Sequence, residues 1–102
     1  MFRRSRFQEL VQRQLDLFEA DTELLDEAAE ADAAWSRAES DETEELYGDY
    51  QLVVDAIGEQ LYGIRETYAA TLEDGAADEY RRSFDKAARK RFGRLTSFLD
   101  ES

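Results

Sequence analysis

The side chains of this sequence that could do chemistry are carboxylates and basic groups, and little else. The chain has no cysteine and no histidine, so disulfides, thiolate nucleophiles and cysteine metal sites are excluded, and the common proton shuttle is missing. What is left is 25 acids against 13 bases, a formal net charge of −12. Glu19, Glu23, Glu27 and Glu30 recur at helical spacing as a carboxylate ladder. Like charges one helical turn apart cost about 0.2–0.5 kcal/mol per pair. Solvent screening and nearby arginines are the simplest offset to that cost, and a docked cationic partner is the other.

Carboxylates on facing helices can also hold a hard cation. Di-iron helical bundles, however, combine glutamates with a Glu-x-x-His motif, and there is no histidine to complete one. The acids also lack the glycine-punctuated spacing of calcium loops. No catalytic residue, metal or cofactor is therefore expected.

The bases point two ways. Arg82, Lys86, Arg89 and Lys90 fall on adjoining turns of one helical face, a pattern that suits nucleic acid or an anionic membrane surface. The overall negative charge opposes a polyanion, whose affinity comes largely from phosphate neutralisation. The favoured reading is that Lys86, Arg89, Lys90, Arg91 and Arg94 complement an acidic region of the same molecule. That region runs through Glu27, Glu30, Asp32, Glu39, Asp41, Glu42, Glu44 and Glu45.

The elements that must position these groups are helices. The chain contains no proline, the residue that most firmly ends a helix. Phe7, Leu10, Val11, Leu17, Phe18, Leu24, Leu25, Ala28, Ala31 and Trp35 recur at helical spacing and mark a first buried stripe. Ser5 with Gln8 offers a capping box, and Leu10, Leu17, Leu24 and Ala31 keep a seven-residue phase. Asp21-Thr22-Glu23 is the one place where a cap could split this helix. A second stripe comprises Leu46, Tyr50, Val53, Val54, Ile57, Leu61, Ile64, Tyr68 and Leu72. A third comprises Tyr80, Phe84, Ala88, Phe92, Leu95 and Leu99. Short connections near Ser40 and Gly75 force successive helices to turn back on one another.

The expected fold is all-α. It is an antiparallel up-down-up three-helix bundle with helices at about 5–38, 41–73 and 76–99, forming one domain over 1–102, with a first helix broken near 21 as the alternative. Antiparallel return brings Lys86, Arg89, Lys90, Arg91 and Arg94 to the acidic junction, and Arg3, Arg4 and Arg6 to Glu73, Asp74, Asp78 and Glu79. No stretch resembles a membrane span or signal peptide, and a cytoplasmic location is the default expectation.

Gly48, Gly58 and Gly63 lie inside the second helix, where each costs about 0.8–1 kcal/mol relative to alanine. Either they sit on an exposed face, or they let another helix approach closely, with Tyr47 and Tyr62 as flanking aromatics. Trp35 reads as a packing residue. The functional expectation is a non-enzymatic interaction or regulatory module that binds a basic protein partner or a second copy of itself. Its candidate surface comprises Glu19, Glu23, Glu27, Glu30, Gly48, Gly58 and Tyr62. The alternative is an anionic-surface binder acting through Arg82, Lys86, Arg89 and Lys90, with a carboxylate metal bundle third.

Overall fold

A computed structural model describes residues 6–96. Among these there are four helices and no strand: α1 (Gln8–Asp21), α2 (Leu24–Ser36), α3 (Thr43–Ala69) and α4 (Asp74–Phe92). The all-α expectation stands, but the three-helix count does not, because the first rod is broken at Thr22. There the backbone turns extended, with φ −92° and ψ 144°. The Thr22 amide still donates to Phe18 O at 2.9 Å, while its hydroxyl oxygen accepts the Leu24 amide at 3.1 Å. A side-chain oxygen thus takes up one of the donors left over at the start of α2.

The break changes what the chain packs against. α1 lies along α4, whereas α2 lies along α3, and α3 and α4 complete the bundle. Ring pairs fix the directions. Phe7 meets Tyr80 and Phe18 meets Phe92, both edge to face with centroids 5.6 and 5.7 Å apart, so α1 and α4 run parallel. Trp35 at the end of α2 meets Tyr47 and Tyr50 at the start of α3. α2 and α3 therefore run antiparallel.

The break also resets the apolar phase. In α1 the buried positions are Val11, Leu15 and Phe18, with Phe7 beneath them. Leu17, assigned to the stripe from its seven-residue spacing, is 57 % exposed, whereas Leu15 is fully buried. The second and third stripes are placed as expected. Tyr50, Val54, Ile57 and Leu61 are buried on α3, as are Tyr80, Phe84 and Ala88 on α4.

Helix ends differ from the sequence reading by a few residues. α3 stops at Ala69, closed by the Thr71 amide and hydroxyl, which both donate to Tyr68 O. Gly75 does not stop it, since α4 already begins at Asp74. α4 ends at Phe92, short of the expected 99, because Gly93 adopts a positive φ of 57° that side-chain-bearing residues rarely take. A 3₁₀ turn over 93–96 follows. The expected cap at Ser5 and the stripe residue Leu99 lie outside the described residues.

Two polar groups are held inside the bundle. Tyr80 is fully buried and its hydroxyl donates to Gln14 Oε1 at 2.8 Å, joining α4 to α1. Burial pushes the Tyr80 phenol up to about 12, against a smaller opposing effect of the Gln14 bond. Arg65, only 5 % exposed, donates through Nη1 to Asp85 Oδ1 at 2.8 Å and through Nε to Glu66 Oε2 at 2.9 Å. Arg81 then grips both oxygens of Glu66 at 3.0 Å. Burial works against the Arg65 charge, but Asp85 and Glu66 outweigh it and raise its pKa. Hydrogen bonding from Arg81, with help from Arg65, holds the Glu66 carboxyl below its ordinary value despite some desolvation.

Candidate functional site

The charge in this molecule is unevenly distributed along the fold. From Gln14 to Ile64 the chain carries sixteen carboxylates and a single base, Arg37. All of these acids except Asp32 are exposed. They coat the latter half of α1, the outer face of α2, the α2–α3 turn and the outside of α3.

Few of them meet a counter-charge. Arg91 reaches Asp16 at 2.7 Å and Glu19 at 3.4 Å, with a further bond to Gln12. Arg94 reaches Asp32 at 2.8 Å while its guanidinium lies 5.7 Å from the Tyr50 ring centroid. Among the described residues, the other thirteen acids of this stretch form no ion pair. Among the described residues, the expected complement of bases to the acidic junction is seen in Arg94 with Asp32, while Arg91 serves α1 instead. Helix length explains this. At 1.5 Å per residue, α3 is about 12 Å longer than α4, so the α2–α3 turn extends beyond the end of the basic helix. At the opposite end Arg6 meets Glu79 at 3.2 Å as expected, while Arg3 and Arg4 lie outside the described residues.

The candidate residues fall in three places. Glu27 and Glu30 lie exposed on α2, Glu19 on α1, and Glu23 in the break between them. The proposed ladder is thus not one helical row. Gly48 and Tyr62 are exposed on α3, whereas Gly58 is buried between Ile57 and Leu61 and belongs to the interior. A methyl group built at Gly48 or Gly63 would meet nothing within 4 Å. Tyr62 is 51 % exposed, with the Arg65 guanidinium 5.1 Å from its ring centroid. Trp35 is half-buried and fastens α2 to α3, as a packing residue should.

On α4, Arg82, Lys86, Arg89 and Lys90 are all exposed. Arg82, Lys86 and Lys90 form no ion pair among the described residues. Arg65 was not singled out from sequence, although a signal was present: it continues the 54, 57, 61 phase of the apolar stripe. A charged residue on a buried phase calls for an opposite charge across the interface, here Asp85.

Among the described residues, no group of three or more carboxylates is arranged to hold a metal ion, and no helix is long and apolar enough to cross a membrane. Compared with protein-family models, curated proteins and solved structures, the chain matches none. Any functional reading therefore rests on the surface itself. A dense, exposed and largely uncompensated set of carboxylates on rigid helices attracts cations over distances of about the screening length, roughly 8–10 Å in physiological salt.

Proposed function

We propose that this chain is a non-enzymatic interaction module, an adaptor or small regulator that binds a basic protein partner through the acidic surface of α2 and α3. Self-association through the same helices is the other form of the reading. The observation that carries it is the sixteen-to-one ratio of acids to bases over 14–64, with nearly all those acids exposed. The lack of cysteine and histidine supports the non-enzymatic part by removing the thiolate nucleophile and the most frequent general base.

A lysine- and arginine-rich random-coil peptide, titrated by fluorescence anisotropy, tests it. Binding is expected at 50 mM salt, at least tenfold weaker at 300 mM, and at least tenfold weaker in a variant carrying Glu27→Lys, Glu30→Lys, Glu42→Lys and Glu45→Lys. No binding at 50 mM salt, together with a strictly monomeric sedimentation profile, would sink both forms of the reading.

A second reading has its own observation. Arg82, Lys86 and Lys90 project from successive turns of α4 and, among the described residues, form no ion pair, which suits an anionic polymer or lipid surface. The net charge of −12 weighs against it. It requires binding to single-stranded or duplex nucleic acid, or to anionic vesicles, that Lys86→Glu with Lys90→Glu abolishes. No such binding at low salt dismisses it.

A further inference from the structure

We propose that the open groove between α1 and α3, beside the Thr22 break, is the docking site for a basic amphipathic helix of a protein partner. The inference rests on the acidic-surface reading and specifies the form of the partner. Because α1 follows α4 while α2 follows α3, the break leaves α1 standing off α3 along a groove of about 630 Å³. Its walls are Leu17 and Phe18 of α1, Leu24 of α2 and Ile64 of α3. A second concavity shares Gln14 and Ile64 and continues past Gly63 and Tyr68 to Thr71. Along α3, from Gln60 to Tyr68, the two together span about 12 Å, a little over two helical turns. That is room for the three or four anchors, at i, i+3/i+4 and i+7, with which an amphipathic helix enters a groove.

Charge decides which helix. Asp21, Glu23 and Glu27 line the same groove, are exposed and form no ion pair among the described residues. Apolar walls with an acidic rim match a helix that is apolar on one side and basic on the other. Leu17, 57 % exposed, is the side chain with most surface to gain from cover. A second copy of this chain fits less well. Among the described residues its one cluster of exposed bases, Arg82, Lys86, Arg89 and Lys90, lies on α4, where no exposed position carries an apolar side chain. A groove-to-groove pairing would set the two acidic rims against each other.

The test uses the full chain and two labelled peptides of about fourteen residues. One repeats Leu-Lys-Lys-Leu-Leu-Lys-Leu, and the other has the same composition scrambled so that no face is apolar. The amphipathic peptide is expected to bind at least tenfold more tightly than the scrambled one. Leu17→Glu, at an exposed position where circular dichroism and melting should show an intact fold, should reduce that preference below twofold. Glu23→Lys with Glu27→Lys should weaken binding at least tenfold, whereas Glu44→Lys with Glu45→Lys, an equal charge change away from the groove, should weaken it less than threefold.

Equal binding of the two peptides, or equal loss in the two double variants, overturns the groove while leaving the acidic-surface reading standing. No binding of either peptide at low salt defeats both. A dimer in sedimentation that Leu17→Glu dissociates would assign the groove to a second copy. A tenfold gain in peptide affinity on Phe98→Ser with Leu99→Ser would assign it to the chain's own last residues. Either result overturns the proposal.

Discussion

The buried phenol of Tyr80 makes the stability of this bundle depend on alkaline pH in a way that can be worked out in advance. Its pKa rises from an ordinary value of 10 to about 12 on folding, so the folded state favours the protonated form. The corresponding stability is fully present below pH 10 and is lost as pH rises from 10 towards 12. At about 1.4 kcal/mol per pKa unit, the loss is about 1.4 kcal/mol by pH 11 and about 2 kcal/mol by pH 12. For a domain whose total stability is of order 5–10 kcal/mol, with a urea dependence near 1 kcal/mol per molar, the midpoint should fall by about 1 M between pH 9 and pH 11. The comparison is Tyr80→Phe. It loses the bond to Gln14, which costs about 1 kcal/mol at pH 8, but it should lack the share of the alkaline slope that the Tyr80 phenol contributes. Urea melts followed by circular dichroism at pH 8, 9, 10, 11 and 11.5 decide the matter. If the two proteins lose stability in parallel, Tyr80 is not the group responsible and its reading as a sealed, hydrogen-bonded phenol is wrong.

Other perturbations follow from particular contacts. Leu15→Ala should cost about 2–5 kcal/mol in urea melts and Leu17→Ala less than about 0.5 kcal/mol; the reverse order would restore the seven-residue phase as the buried one. Gly48→Ala and Gly63→Ala, each entering open space in a helix, should each raise stability by about 0.5–1 kcal/mol, and a loss at either would mean that its face is occupied. The depressed pKa of Glu66 gives the opposite pH sign to Tyr80. Its stabilisation is present above the usual carboxylate range and is lost as pH falls through the depressed value, so Glu66→Gln should lower stability at pH 7 and flatten the acid limb below about pH 4.5.

The second and third apolar stripes could be read in the sequence because nothing interrupts their period. Tyr50, Val54, Ile57 and Leu61, and then Tyr80, Phe84 and Ala88, are placed by spacing alone. The first stripe was misread for an identifiable reason. A seven-residue repeat through Leu10, Leu17, Leu24 and Ala31 is real in the sequence but crosses Thr22, where a single hydroxyl-to-amide bond turns the rod and changes its packing partner. Spacing shows the period of a segment and not whether one segment continues into the next. The stop at Gly93 was not placed by spacing, because a glycine's φ follows from its surroundings. Charge was legible in amount and not in placement, because the break at Thr22 sets α1 beside α4, where Arg91 meets Asp16 and Glu19 rather than the acidic turn. The buried role of Arg65 needed the facing Asp85, twenty positions away.

The buried guanidinium also bears on how precisely the helices are aligned. Tyr80, Phe84, Ala88 and Phe92 repeat every four residues, so if α4 slipped one turn past α3, about 5.4 Å, much of the greasy surface would find a new seat. Arg65 would not. Its Asp85 partner would move out of reach and leave Nη1 without that acceptor, with Glu66 beside it on α3 as the remaining counter-charge, a loss of about 1.5–3 kcal/mol for a hydrogen bond between charged groups. The pair therefore acts as a key in a slot, allowing one alignment where oil alone would accept several. With α4 locked, α1 follows through the Tyr80–Gln14 bond, and the spacing between the first and third rods is set by a residue that touches neither solvent nor groove.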